Sequence, residues 1–271
     1  MKTFTFGNAV ITGACGGFGE ALARELLQAG GKVALLGLDP RRLTELQALA
    51  PERCRVYTPD VSNTAAMQAV ASDWMAAHGA PDLVIANAGV AGGYATAEAA
   101  DLAVMRRMLE INLIGVATTF QPFMNALKPG AALVGVASIA GWRGMPGNGA
   151  YCASKAGLIA YLQSLRTEMR DRSIQVSTVC PGYLRTALTA GNRFAMPGLM
   201  EPEAAARVLI ERVAKGHEWI VLPRRTGWLA RSLQLLPDRI YDRILATQPR
   251  KPRAHEAGST PIPGLDAQEK E

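Results

Sequence analysis

Asn8-Ala9-Val10-Ile11-Thr12-Gly13-Ala14-Cys15-Gly16-Gly17-Phe18-Gly19-Glu20-Ala21-Leu22 is the stretch that decides the fold. A short apolar, β-like run enters a cluster of glycines. An apolar pattern of helical period leaves it through Leu22, Leu26 and Leu27. Strand, glycine turn and helix N-terminus together make an anion site, because glycines let the backbone approach a phosphate and free N–H groups face it. The spacing is TGxxxGxG (Thr12, Gly13, Gly17, Gly19), not GxGxxG. A glycine-rich turn alone is most often only a turn; the strand before it and the helix after it favour a dinucleotide.

Outward from that turn, apolar runs alternate with helix-length segments. Val33–Leu36 reads as a buried strand, Arg55–Tyr57 leads to Asp60, and Asp82–Ala86 leads to Asn87. Ala132–Ala137 ends at Ser138, and Gln175–Cys180 ends at Pro181. Short continuous apolar strands separated by helices predict a mostly parallel sheet covered on both faces. The expected class is α/β, a single doubly wound, Rossmann-like domain. Polar residues just after strand ends are where ligands bind in such sheets.

The chain has 271 residues, 49% hydrophobic and 19% charged, enough to bury a full core. No stretch reaches the ~18–20 uninterrupted apolar residues of a membrane span. Met1–Gly7 carries no apolar signal segment and passes into the first strand, so a cytoplasmic protein is expected. Cys15, Cys54, Cys152 and Cys180 are scattered, as suits reduced thiols, and no metal-like spacing of Cys or His is present. Cys152 reads as a small space-filler.

Tyr151 and Lys155 stand four residues apart, with Ser138 upstream. On a helix they share a face. A lysine cation beside a phenol is expected to lower the phenol's pKa from its usual value of ~10. Such a phenol can exchange a proton with an alcohol or carbonyl, while the Ser138 hydroxyl bonds the same oxygen. Asn112 falls inside a helix expected from Asp101 to about Leu127, among apolar neighbours, and so wants a specific partner.

Together these residues resemble the short-chain dehydrogenase/reductase family in its compact form. The resemblance rests on Thr12-Gly13-x-x-x-Gly17-x-Gly19, Asp60-Val61, Asn87-Ala88-Gly89, Asn112, Ser138, Tyr151-x-x-x-Lys155, and Pro181-Gly182 followed by Thr186. It covers residues 7 to about 222. It implies hydride transfer between a nicotinamide and a carbonyl or secondary alcohol, with Asn112, Ser138, Tyr151 and Lys155 as catalytic residues. In the family the asparagine holds a water that links the lysine to solvent. The implied cofactor contacts are Thr12, Gly13, Cys15, Gly17, Phe18, Gly19, Asp39, Asp60, Val61, Asn87, Ala88, Gly89, Tyr151, Lys155, Pro181, Gly182 and Thr186. Asp60 has a second reading, as a cap for the helix starting near Asn63. No metal is implied.

NAD or NADP is the expected cofactor. In the family an acid at the Gly37 position selects NAD, and a base at Leu38 or near Gly16 selects NADP; this chain has neither. Asp39 lies two residues late but inclines the reading to NAD, whereas Arg41 or Arg42 could instead meet a 2′-phosphate.

The domain is expected over 1–222, with a substrate loop at 183–200. The walls around Gly92-Gly93-Tyr94, Ile139–Met145 and Tyr183–Met200 are apolar and methionine-rich, which suits a hydrophobic substrate. Arg143, Arg185 and Arg193 could meet an anionic group. From Arg212 to Arg253 ten Lys/Arg face three acids, a local excess of +7. Within it Trp228, Leu229, Leu233, Leu236, Ile240, Ile244 and Leu245 recur at helical spacing, with Pro237 separating two short helices. The extension, 223–248, is expected either to pack near the substrate loop or to lie on an anionic membrane surface through 228–245. Residues 249–271 are rich in Pro, Gly and charge and are expected to be disordered. No nucleic-acid reader motif accompanies the basic charge. A homodimer or homotetramer, through the long helices flanking Ser138, is expected from the resemblance. A catalytically silent dinucleotide sensor on the same fold is the alternative function.

Overall fold

The structure is a computed structural model and describes residues 6–192, 195–254, 256, 259 and 261–265. Seven strands form one parallel sheet in the order β3-β2-β1-β4-β5-β6-β7. They are β1 (Asn8–Thr12), β2 (Lys32–Leu36), β3 (Cys54–Tyr57), β4 (Leu83–Ala86), β5 (Ala132–Val136), β6 (Gln175–Pro181) and β7 (Trp219–Leu222). The strands of the centre are apolar throughout because both faces of the sheet are covered. Ala9 and Ile11 of β1 point into one core and Val10 into the other, as the two-residue period of a strand requires.

The helices are α1 (Gly17–Gln28), α2 (Pro40–Gln47), α3 (Thr64–His78), α4 (Asp101–Leu109), α5 (Gly115–Phe120), α6 (Gly149–Glu168), α7 (Ala187–Ala190), α8 (Pro202–Ala214), α9 (Arg224–Gln234) and α10 (Asp238–Leu245). Leu22 and Leu26 of α1 share the first core with Leu209 of α8. Trp74 of α3, Phe120 of α5 and Leu158 of α6 fill the second. Strand order reverses between β1 and β4, and that switch point opens the ligand crevice at the strands' C-terminal ends.

The expected unbroken helix from Asp101 to about Leu127 is instead interrupted. Glu110–Ile114 forms a turn of π-helix between α4 and α5, and Gln121–Phe123 is a 3₁₀ turn. Such single π turns insert one extra residue and re-aim a side chain; here the residue at their centre is Asn112.

Where a disordered tail is expected after residue 249, the described residues are packed. The Gly93 N–H donates to the Pro252 carbonyl at 2.9 Å. Arg253 donates to Asp101 through Nε at 3.0 Å and Nη2 at 3.2 Å. Ile262 and Leu265 are buried against Val104, Met108 and Ala150, worth about 1.5–3 kcal/mol each before the cost of ordering the chain. Composition described the tail's polarity correctly but could not register two isolated apolar residues that find a groove on α4 and α6.

Candidate active site

The glycine turn is shaped by contacts that no side chain could share. Gly13 adopts φ +68°, and a Cβ added to Gly19 would lie 2.1 Å from the Gly13 carbonyl oxygen. A Cβ at Gly17 would meet Thr186 Cγ2 at 3.0 Å, so the start of the substrate loop lies directly over the turn. α1 begins at Gly17 with no side-chain cap, which leaves first-turn N–H groups for a ligand anion. Asn87 ties the turn to β4. Its Nδ2 donates to the Thr12 and Gly13 carbonyls at 3.1 and 3.3 Å, and the N–H groups of Asn87 and Ala88 donate to Thr12 Oγ1 at 3.1 and 3.2 Å. This cradle, closely packed at its glycines and with an uncapped helix N-terminus, fits a dinucleotide pyrophosphate.

The ribose end of the cradle differs from expectation in one respect. Asp39 Oδ1 accepts from the N–H groups of Arg41 and Arg42 at 3.1 and 3.3 Å, so Asp39 is the N-cap of α2. Arg42 Nη1 reaches back to the Cys15 carbonyl at 3.3 Å, beside the glycine turn. A Cβ at Gly37 would sit 2.7 Å from Cys15 Sγ, so a side chain there would have to displace that thiol.

Asp60 does not cap α3. That cap is Asn63, whose Oδ1 accepts from the Ala66 N–H at 3.0 Å. Asp60 instead accepts from the N–H and Oγ of Ser62 at 2.9 and 2.7 Å and from Arg107. Burial alone would raise its pKa, but the bonds from Ser62 and Arg107 outweigh burial and hold it below the usual carboxylate value. Val61, also expected at the cofactor, is buried with its Cγ2 against Gly115, 2.7 Å from where a Cβ would be.

Ser138, Tyr151, Lys155, Pro181, Gly182 and Thr186 all line one cavity of about 340 Å³ together with Phe18, Asn87 and Gly89. Ser138 Oγ accepts from the Ala140 N–H at 3.1 Å and donates to the Pro181 carbonyl at 3.4 Å, which fixes it at the end of β5. Tyr151 and Lys155 lie on α6, whose backbone passes so close to Gly141 that a Cβ there would be 2.7 Å from Lys155 C. Asn112 is fully buried. Its Oδ1 accepts from the Val90 N–H at 2.8 Å, and its Nδ2 donates to the Val90 carbonyl and Ser154 Oγ at 2.9 and 3.0 Å. Ser154 Oγ in turn donates to the Tyr151 carbonyl at 2.8 Å. The π turn therefore clamps the loop after β4 onto α6.

The phenol is not activated in the way helix spacing suggests. Burial pushes the Tyr151 pKa up to about 12, and the hydrogen bond with Ser138 only partly offsets this. Lys155 Nζ is 5.9 Å from the centre of the Tyr151 ring and donates to the Val136 carbonyl at 2.8 Å. Burial lowers the Lys155 pKa to about 8. Spacing of four residues brings Cβ atoms together; the charge itself is turned toward β5. Near neutrality the pair is thus a phenol beside a buried ammonium. Cys152 is buried with its pKa raised by burial, an inert thiol.

The opposite wall comes largely from residues the sequence singled out only in part. Trp142, Arg143, Tyr183, Ala230, Leu233, Tyr241 and Leu245 line it. Arg143 is wholly engaged: Nη1 donates to the Leu233 and Leu236 carbonyls at 2.8 and 2.7 Å, Nη2 to Asp238 at 2.7 Å, and the guanidinium lies 3.8 Å from the centre of the Tyr241 ring. It fastens α9 and α10 over the cavity and is not free for substrate. Arg185 pairs with Glu201 at 2.7 Å, while Arg193 and Phe194 lie outside the described residues. The seats of Tyr241 and Lys251 in this wall left no mark in the sequence, because only tertiary packing puts them there.

A family model for the short chain dehydrogenases matches residues 7–196. The chain belongs to the short-chain dehydrogenase family. An uncharacterized oxidoreductase of Myxococcus xanthus is 35% identical over 251 residues, covering 89% of this chain and 97% of that protein. A short-chain dehydrogenase/reductase from Burkholderia phymatum, solved in complex with NAD, superposes with a TM-score of 0.76 at 26% identity, covering 93% of this chain and 99% of that one. An alcohol dehydrogenase from Thermococcus sibiricus, solved with 5-hydroxy-NADP, gives 0.70 at 25% identity over 79% of this chain and 94% of that one. The protein is therefore an oxidoreductase of this family, acting on CH–OH donors with NAD or NADP.

Proposed function

We propose that the protein interconverts a carbonyl and a secondary alcohol on a mainly apolar substrate, with Tyr151 as the proton-exchanging acid. The observation that carries this is the convergence of Ser138, Tyr151 and Lys155 on one cavity with Phe18, at the start of α1, and Asn87, which bonds the glycine turn. A bound nicotinamide would supply or accept the hydride. The rest is the work of the chain. Ser138, fixed by Ala140 and Pro181, bonds the substrate oxygen. Tyr151, a neutral phenol at working pH because burial raises its pKa to about 12, donates its proton to that oxygen during reduction and regains it on oxidation. Lys155 places a cation behind the phenol and would bind the nicotinamide ribose. Asn112 holds α6 against the loop after β4 and takes the place in the proton relay that the resemblance gives it.

Asp39 is committed as a helix cap and Arg42 lies against the glycine turn. That arrangement removes the support for NAD that Asp39 alone supplied, and NADPH is proposed to serve at least as well as NADH. The presence together of Asn112, Ser138, Tyr151 and Lys155 supports this catalytic reading over the silent-sensor alternative.

No helix among the described residues is long and apolar enough to cross a membrane. Trp228, Leu235, Ile240 and Ile244, on or beside α9 and α10, are four of the eight large apolar residues exposed on the described surface. Arg224, Arg225, Arg231, Arg239 and Arg243 are exposed beside them. Their partner is proposed to be an anionic lipid surface.

The deciding experiment follows NADH and NADPH oxidation separately over a series of apolar ketones, for the protein and for Tyr151→Phe. The expected result is turnover that falls ~10²–10⁴-fold in the variant while dinucleotide affinity is kept. Near-normal turnover by Tyr151→Phe would remove the assignment.

A further inference from the structure

The cavity holds a cation for which the reaction has no use. Residues 250–253, beyond the segment that the family model matches, form a strap that brings Lys251 into the cavity wall. A Cβ at Gly93 would stand 2.4 Å from the Lys251 carbonyl oxygen, and one at Gly147 would meet Arg250 Cβ at 3.0 Å, so the strap lies directly on both loops. Arg253 pins its far side to Asp101, which is fully buried. Farther along, Arg107 Nε donates to the Pro263 carbonyl at 2.7 Å.

Held between these points, Lys251 lines the cavity, and its Nζ donates to the Leu188 carbonyl at 3.3 Å on the substrate-loop side. An ammonium carries three donors and no acceptor, so this single long bond leaves most of its capacity unused. The ammonium is half-buried, and this partial withdrawal from water lowers its pKa. Two other cations line the same space, and both are committed: Lys155 to Val136, and Arg143 to α9, α10 and Asp238. No aspartate or glutamate is among the described residues of the wall. A half-buried charge with so few partners is costly, and a ligand anion is the natural compensation.

We propose that Lys251 is the subsite for a carboxylate at one end of an otherwise apolar substrate, whose carbonyl or carbinol oxygen meets Ser138 and Tyr151 at the other. The protein would then be an oxidoreductase of oxo-acids and hydroxy-acids, with the charged group remote from the reacting carbon. This deepens the carbonyl-reductase reading and rests on it.

Two measurements separate the failure of one from the failure of the other. The first needs no turnover. Octanoate and 1-octanol are titrated calorimetrically into the full chain, into Lys251→Met and into Lys251→Arg. Octanoate is expected to bind at least tenfold more tightly than the alcohol, with the preference lost in Lys251→Met and largely kept in Lys251→Arg. A preference that survives Lys251→Met, or a loss of both ligands in equal measure, overturns the subsite.

The second compares kcat/KM for 7-oxooctanoate and 2-octanone. The ratio in favour of the oxo-acid is expected to fall about 10–100-fold in Lys251→Met, the size of a charge-assisted hydrogen bond, with the change in KM. A merely structural role would lower both substrates together and leave the ratio unmoved. If the unaltered protein reduces neither compound while the octanoate preference holds, the reductase reading fails and the anion subsite stands.

Discussion

A single carbon added at Gly19 would lie 2.1 Å from the Gly13 carbonyl oxygen, whereas Lys251, across the same cavity, holds one 3.3 Å bond to Leu188. The two regions solve opposite problems. The cofactor cradle is made of backbone, with glycines at the contacts and Asn87 bonding the turn from β4. The substrate wall is made of side chains on α9, α10 and the strap, fastened by Arg143 and Arg253 to elements roughly a hundred residues or more away in the chain. Backbone packing of the first kind tolerates almost no change of residue. Side-chain latches of the second kind can be re-cut without disturbing the sheet, which is how one scaffold takes different substrates.

The sharpest way to break this comparison is Gly19→Ala. The methyl group cannot enter without displacing the Gly13 carbonyl, a backbone shift of the kind that costs about 1–3 kcal/mol. The dissociation constant of NADPH, read from its fluorescence, is expected to rise roughly 10–100-fold, with the far-ultraviolet dichroism of the sheet retained. An unchanged dissociation constant would mean that the turn yields and that the cradle is less rigid than its contacts indicate.

How far each half could be read from the sequence follows from the same contrast. Thr12, Gly13, Gly17 and Gly19 form one local motif whose strand-turn-helix context is visible within fifteen residues. The five strands expected after β1 sit where their apolar runs predict. Trp219–Leu222 carries no strand signal of its own, because four residues with only alternate burial show their role only when paired with β6. The π turn at Asn112 was equally hidden: its apolar neighbours fit an ordinary helix, and what re-aims the amide is its bonding to Val90 and Ser154. Reading Tyr151 and Lys155 as a pair was sound for proximity and wrong for charge, since nothing in the spacing reveals that Nζ turns to the Val136 carbonyl.

That last difference has a pH signature. Lys155, with its pKa lowered to about 8, is charged below that value and neutral above it, while Tyr151, raised to about 12, stays protonated across the working range. On the proposed roles, reduction needs both groups protonated at the start, and the group lost first as pH rises is Lys155. The kcat/KM for a ketone is therefore expected to be flat below pH ~8 and to fall toward tenfold per unit above it. Oxidation of the alcohol should instead rise with pH, because the phenol must then accept a proton. Linkage has the same origin: a lysine whose folded pKa is depressed binds fewer protons folded than unfolded between about 8 and 10.5, so its contribution to stability rises with pH across that window. A reduction profile that stays flat to pH 9.5 would place the controlling charge elsewhere.

The weakest effect concerns the outer face of the substrate wall. α9 and α10 present Leu233, Tyr241 and Leu245 to the cavity and Trp228, Ile240 and Ile244 to the outside, so one pair of helices borders both substrate and surroundings. The five exposed arginines add an attraction of ~1 kcal/mol each near an anionic surface, screened within about 10 Å at 0.1 M salt. Sedimentation with phosphatidylserine-containing vesicles is expected to carry the protein down at low salt, and phosphatidylcholine alone to carry little. Trp228→Ser with Ile240→Ser should weaken that binding by about tenfold or more, from the apolar area withdrawn from the interface, and added salt should weaken it further. Because both residues are exposed, the double variant leaves the cavity wall in place, so its turnover of a water-soluble ketone serves as the internal control. Binding that ignores both salt and the substitutions would detach the outer face from any role in meeting a membrane, and would leave α9 and α10 with the single task of closing the cavity.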